Sequence, residues 1–443
     1  MATSFATAAG DSALAAARRP TYVDDALVFN LDDPELAERV GRAFTGADLE
    51  PSAGIAEVAG MARKLRDEGA VLTPLYPERA ARLHREGSFV MAVPAAVQKR
   101  GSLSGLHHLQ LANPKMAEDA WRWLVANLGE ANVRRPVIQY PADGPNGISA
   151  TVGPSDQLEE QWALSQCGFD KVADQFAKNR KPGPIAIIDQ GVDWGHPELR
   201  SRITVRTTPP PGMEPSPSVH ASAVAGVIAA NGADGSGITG CCMASIALYN
   251  VWNVQNGEDK YDSLAYLRAL KDIASSGIRV LNISLGSDTD DPDIRNAIAE
   301  CVANGVIVVA AMGNDGVSGN PSLYPARYPG VIAVGATGYK DSLLEWSGTG
   351  DHICILAPGE GILTTYGDTL RLVEGTSFAA PMVAAAVWMA LSARPCWGNE
   401  EVLELLKRSA DPLQSADPKV VGSGRLSMPK LANELKARKC RCL

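Results

Sequence analysis

Two short runs in this chain contain only apolar residues, and each breaks off at a residue capable of chemistry. Ile185-Ala-Ile-Ile188 leads into Asp189-Gln190-Gly191-Val192, and Val306-Ile-Val-Val-Ala-Ala311 leads into Met312-Gly313-Asn314-Asp315-Gly316. Runs this short and this apolar read as buried strands, the habit of a parallel sheet covered by helices on both faces. In such sheets, ligands and catalytic groups collect at the carboxyl ends of the strands. Asp189 and Asn314 therefore fall where a site is expected.

Two helical runs of small residues complete the pattern. His220 opens His-Ala-Ser-Ala-Val-Ala-Gly226, which continues into Val227-Ile-Ala-Ala230. Gly375-Thr-Ser-Phe-Ala-Ala-Pro381 precedes the helical run Met382–Ser392. A serine on a glycine-preceded turn at a helix mouth presents its hydroxyl with the partial positive charge of the helix N-terminus behind it. A hydroxyl needs a base to become a nucleophile, and the base needs a group that orients it. His220 and Asp189 suit those tasks, and the Asn314 amide could donate a hydrogen bond to a developing oxyanion. Singly, each residue has an ordinary reading: Asp189 as a turn or cap, His220 as a packed helix-start group, Asn314 as a turn former and Ser377 as an N-cap. Only their joint occurrence, each on the element its role needs, favours chemistry.

Asp, His, Asn and Ser in that chain order resemble the subtilisin-like serine proteases. The likeness extends to Gln161-Trp-Ala-Leu164, Asn282-Ile-Ser-Leu-Gly286, Tyr324–Ala336, Trp346–Gly350 and Ala357-Pro-Gly359, and spans residues 156–430. It implies peptide-bond hydrolysis through an acyl-enzyme on Ser377. His220 would be the base and then the acid, Asp189 would orient the imidazole, and Asn314 with the Ser377 N–H would form the oxyanion hole. It also implies that Ser284, Leu285 and Gly286 pair with an extended substrate by strand addition. Asp315 and Leu323 would lie near the pocket for the residue preceding the cut. Leu323 stands where the family often has Gly, which narrows that pocket, and Asp315 would favour a basic or polar side chain, so specificity is expected to be restricted.

Departures from the family pattern are few. Gln190 replaces the usual Ser or Thr, whose side chain can bond the catalytic Asp. Ala221, Ser222 and Ala223 replace Gly, Thr and His. Every reacting group remains, but a second reading stays open: a catalytically silent fold that binds peptides. The chemistry requires no cofactor. The resemblance allows a structural calcium, with Glu198 and Asn231 near its ligand positions.

At 443 residues, two domains are expected. The formal net charge of −9 argues against nucleic acid as a partner. No unbroken apolar run reaches 18 residues, so no membrane span is expected; the resemblance implies a protein or peptide substrate as the partner. The opening residues lack the basic-then-apolar layout of a signal peptide. The eight cysteines, with Cys241 and Cys242 on a small apolar strand, read as thiols of a reducing compartment. The cytoplasm is thus expected, with secretion the alternative if a leader precedes this sequence.

The fold expected is a three-layer α/β/α subtilisin-like domain with a mostly parallel sheet, preceded by a small α+β domain. Residues 1–20 read as a tail, 21–140 as the α+β domain, 141–155 as a linker, 156–430 as the peptidase and 431–443 as a basic tail. Within the first domain, strands are expected at 26–31, 70–73, 88–93 and 133–140, with helices at 34–44, 55–66 and 118–128. This order resembles the family's pro-domains, which assist folding and lay their C-terminal segment in the active site. A zymogen would then cut itself within 141–154. A permanent accessory domain is the alternative. Pro209–Pro217 is expected to be a stiff connector without secondary structure, rimming the cleft.

Overall fold

The computed structural model describes residues 23, 26–30, 61, 64, 65, 67, 70–74, 106–110, 114–128, 133–141, 148–151, 161–176, 182–191, 195–232, 237–321, 323–413 and 417–437. Its centre is a seven-stranded sheet. From edge to edge the strands run Ile353–Pro358, Val331–Thr337, Ile307–Ala311, Val280–Ile283, Ile185–Asp189, Ile246–Asn250 and Ile203–Val205, and every neighbouring pair is parallel.

Alternation along each strand splits the core into two layers. Ile185 and Ile187 pack with the helices His220–Ala229, Thr376–Ala393, Asn399–Ser409 and Met428–Ala437. Ala186 and Ile188 pack with Ser263–Ser275 and Pro292–Ala303. Both faces being buried explains why these strands are apolar throughout rather than alternating. The result is the expected three-layer α/β/α domain.

Thr376–Ala393 is long and apolar enough to cross a membrane by length and composition, yet 94% of it is buried inside the fold. Thr376, Ser377 and Ser392 interrupt its apolar run, and its burial marks it as a core helix against the sheet.

The N-terminal module is an antiparallel sheet in the order Val71–Pro74, Leu106–Gln110, Ala26–Asn30 and Val133–Arg134. The helix Pro114–Leu128 covers it with Ala117, Ala120 and Leu124 against Leu27, Phe29 and Leu109. The strand at 106–110, with two His, was not evident in the sequence, and the helix begins earlier than expected. The tail 1–20, the helix at 34–44, the strand at 88–93 and most of the helix at 55–66 lie outside the described residues.

Several expectations need correction. The strand expected over 133–140 is broken, because Pro136 offers no N–H to a ladder. Val133–Arg134 stays in the N-terminal sheet, while Tyr140–Pro141 pairs antiparallel with Leu285–Gly286. Part of the expected linker is also structured, since Ile148–Thr151 joins Thr369–Val373 and Ile362–Tyr366 in a three-stranded sheet. The Pro-rich connector contains a short strand, Glu214–Pro215, paired with Asn253–Val254. Cys241 and Cys242 are buried but lie in a bend before Ile246–Asn250 rather than on a strand. The helix Met428–Ala437 carries ordered packing past residue 430 through Leu431, Ala432 and Leu435. Cys396 is disulfide-bonded, whereas Cys167, Cys241, Cys242, Cys301 and Cys354 are free thiols.

Candidate active site

Asp189 ends its strand fully buried, and His220 begins its helix at 6% exposure. His220 Nδ1 lies 2.5 Å from Asp189 Oδ1, and the Gln190 backbone N–H donates to the same oxygen at 2.6 Å. The Gln190 side chain turns away, reaching Ser216 Oγ and Asp259 Oδ2 at 3.4 Å each. Asp189 Oδ2 is buried with no hydrogen-bond partner among the described residues. Residue 190 thus supports the carboxylate through its backbone, not through the side chain that Ser or Thr would offer.

The altered residues after His220 are accommodated without strain. Ala221 sits in helix, and its N–H donates to the Gln190 carbonyl at 3.1 Å. Thr365 and Thr364 donate hydroxyls to the Ser222 and Ala223 carbonyls at 2.7 Å each, which fixes this first turn. The imidazole packs against Phe378, ring centres 5.6 Å apart.

Ser377 is the second residue of Thr376–Ala393, after a cap at Gly375 whose φ of 145° lies in a region that favours glycine. Pro381, four residues on, has no N–H to give the Ser377 carbonyl. Ser284 Oγ fills that gap, donating to the Ser377 carbonyl at 2.8 Å, while Asn282 Nδ2 donates to Ser284 Oγ at 3.0 Å. In return Ser377 Oγ donates to the Ser284 carbonyl at 3.1 Å. The acceptor that Pro381 leaves free thus ties the serine turn to Ser284.

Asn314 follows the strand Ile307–Ala311. Its Oδ1 accepts from the Thr376 N–H at 2.9 Å and from Thr376 Oγ1 at 3.0 Å. Thr376 Oγ1 in turn accepts the Gly313 N–H at 3.1 Å. With the oxygen end pinned, the amide's orientation is fixed, and Asn314 Nδ2 is buried with no hydrogen-bond partner among the described residues. A buried N–H left unmatched is costly. Thr376 was not singled out in the sequence. Its only signal is its position between the turn glycine and Ser377.

Comparison with known proteins agrees with this geometry. The Peptidase_S8 (subtilase family) profile matches residues 183–425. Subtilisin of Bacillus pumilus is 35% identical over 240 residues, covering 52% of this chain and 85% of that protein. The chain belongs to the subtilase family. The Major intracellular serine protease of Bacillus subtilis (strain 168) is 34% identical over 258 residues, covering 55% of this chain and 73% of that protein. The match to Subtilisin E of the same strain covers 60% of its length. Among solved structures, the Prenylagaramide maturation protease PagA superposes with a TM-score of 0.51 at 26% identity, covering 61% of this chain and 99% of that one. The psychrophilic subtilisin-like protease Apa1 from the Antarctic psychrotroph Pseudoalteromonas sp. AS-11 gives a TM-score of 0.54 at 18% identity, covering 62% and 98%, a likeness of fold. The chain is accordingly a subtilisin-like serine endopeptidase.

The expected specificity residues of this subtilase are placed unequally. Leu285 is buried in the core, and its backbone pairs with Pro141. Leu323 fills the space above Gly286 and Gly313: a Cβ added at either would lie 2.4 or 3.0 Å from Leu323 Cδ2. Asp315 is exposed on its turn, where its backbone carbonyl accepts the Ser318 and Asn320 N–H groups.

The segment from Val133 to Pro141 crosses onto this domain. Arg134 forms a two-pronged ion pair with Asp293, and the Val137 N–H donates to Asp291 Oδ2 at 3.1 Å. Trp252 Nε1 donates to the Gln139 carbonyl at 3.1 Å, and Tyr140 lies against the Trp252 ring at 5.5 Å. Burial, and secondarily the charge of Asp293, hold the Asp291 carboxyl up at about 6.

Among the described residues, the calcium positions Glu198 and Asn231 are committed to protein partners. Glu198 Oε2 accepts the Gly232 N–H at 2.6 Å, and Asn231 Oδ1 accepts from the Arg202 guanidinium at 3.1 Å. A guanidinium already occupies the charge that a metal would bring. Among the described residues, no group of three or more His, Cys, Asp or Glu could hold a metal.

Proposed function

We propose that this subtilase cleaves peptide bonds by attack of Ser377, with His220 as base and acid, Asp189 as its orienting partner and Asn314 as an oxyanion donor. The observation that supports it best is the pinned Asn314 amide. Its acceptor end is saturated by Thr376, and its donor end is unmatched beside the Ser377 turn.

A substrate added as a strand along Ser284–Gly286 would donate a backbone N–H to the Ser284 carbonyl, the acceptor now used by Ser377 Oγ. That competition frees the hydroxyl to turn toward His220. The Ser377 O–H proton passes to the imidazole as Oγ bonds to the scissile carbonyl carbon. The resulting O⁻ accepts from Asn314 Nδ2 and the Ser377 N–H. The imidazolium, steadied by Asp189, then protonates the leaving amine as the C–N bond breaks. Water repeats the sequence and releases the acid.

The N-terminal module acts in this reading as an internal inhibitor. Tyr140–Pro141 pairs with Leu285–Gly286 in the antiparallel sense expected of a substrate. Self-cleavage would fall just beyond, within 142–147. Restricted specificity is supported by Leu323 narrowing the pocket, and by the likeness to the Prenylagaramide maturation protease PagA.

A fluorophosphonate probe should label the wild type and not Ser377→Ala. The wild type should also release an N-terminal fragment that Ser377→Ala retains. A fragment of equal size from both proteins would defeat self-processing, and absent labelling would leave the peptide-binding reading.

A further inference from the structure

We propose that Asp291, Asp293 and Trp252 form an arginine-selecting extension of the substrate groove. By this reading the enzyme prefers peptides carrying Arg six positions before the residue paired with Gly286, as Arg134 precedes Tyr140. The inference rests on Leu285–Gly286 being the substrate strand.

The two carboxylates are built to receive a cation. Asp293 is 3% exposed and Asp291 5% exposed, so both charges are withdrawn from water, which is costly without a partner. Asp291 Oδ1 is committed to its own helix, accepting the Asp293 and Ile294 N–H groups at 2.9 and 3.3 Å. Its Oδ2 is left for the incoming chain and takes the Val137 N–H. Asp293 presents both oxygens side by side, and Arg134 meets them with Nε at 2.8 Å and Nη2 at 2.6 Å. This planar fork suits guanidinium and not the point charge of lysine.

The contacts between Arg134 and Tyr140 read backbone, not side-chain identity. Asp291 takes the N–H of Val137, Trp252 gives its indole N–H to the carbonyl of Gln139, and Gly286 pairs with Tyr140. A different sequence could make all three. Selection is then concentrated at the arginine, with an aromatic preference where Tyr140 meets Trp252. All the receiving groups belong to the peptidase domain, so they remain after the segment's own chain is cut. The same contacts hold the inhibitory segment until a competing substrate supplies the arginine.

The test uses full-length Ser377→Ala/Arg134→Ala protein, which neither cuts the probe nor holds its own arginine in the site. Fluorescent peptides of residues 133–141 are compared with Arg or Ala at the position of Arg134. The Arg peptide should bind at least about tenfold more tightly, and adding Asp293→Asn should erase the difference. Equal affinities, a preference surviving Asp293→Asn, or no saturable binding of either peptide would overturn the proposal. Should the double variant not fold, hydrogen exchange in Ser377→Ala serves instead. Asp293→Asn should speed exchange at the Val137 amide by a similar factor, and unchanged protection would overturn the proposal. Neither measurement depends on catalysis, whereas probe labelling tests only the protease reading.

Discussion

Thr376→Val is the sharpest test of the oxyanion arrangement, because it removes one atom from the support of Asn314 and keeps the side chain's shape. Thr376 Oγ1 gives one of the two hydrogen bonds that hold Asn314 Oδ1, and the Thr376 N–H gives the other. Losing a neutral hydrogen bond of this kind costs about 1 kcal/mol, which lowers the population of correctly held amide roughly fivefold. The expected result is a kcat lower by about that factor with KM little changed, read on a chromogenic peptide. Thr376→Ser should restore the rate. Asn314→Ala removes the donor itself and should cost ~10²–10³, the range known for a subtilisin oxyanion hole. If Thr376 works through Asn314, the double variant should be no slower than Asn314→Ala alone. A further fivefold fall in the double variant would refute the reasoning, since Thr376 would then act on its own. The Gly313 N–H also loses its acceptor, so the valine variant should be less stable by about 1–3 kcal/mol, a separate signature in thermal unfolding.

Other consequences are open to measurement. Leu323→Gly should open the space over Gly286 and Gly313 and raise kcat/KM for an aromatic residue before the cut by about tenfold or more, whereas unchanged selectivity would place that pocket elsewhere. Ser284→Ala leaves the Ser377 carbonyl, already deprived by Pro381, without its donor; a loss of about 1–3 kcal/mol in unfolding free energy is expected, and a neutral result would count against the tie. Burial, with the charge of Asp293, lifts the Asp291 carboxyl from 3.8 to about 6, so the folded state holds this proton more tightly than the unfolded one. The stabilisation is fully present below about pH 4 and lost as pH rises through about 6, a swing of about 3 kcal/mol. Asp291→Asn, neutral throughout, should therefore lose less melting temperature between pH 4.5 and 7.5 than the wild type, and an equally steep fall would contradict the assignment.

The peptidase fold was legible because the chain resembles the subtilases in its ordered motifs and because its strands are apolar throughout, as a sheet covered by two helical layers requires. Asp189, His220, Asn314 and Ser377 were legible for a related reason. Each lies at or just past a strand end or at a helix start, where catalytic groups of a parallel sheet collect. Three features were not. Thr376 acts by holding the far end of another side chain, and no spacing in the sequence encodes that partnership. Gln190 could have supported Asp189 through side chain or backbone, and only the packed surroundings turned its amide toward Ser216 and Asp259. Arg134 and Asp293 stand 159 positions apart, and their pairing depends on where the first domain's last strand runs after Pro136 ends its ladder. Sequence determined which elements form and which chemistry they can carry, because burial and backbone preference act over a few residues. Tertiary structure alone decided which donors meet which acceptors, because hydrogen bonds are set by sub-ångström distances between groups far apart along the chain.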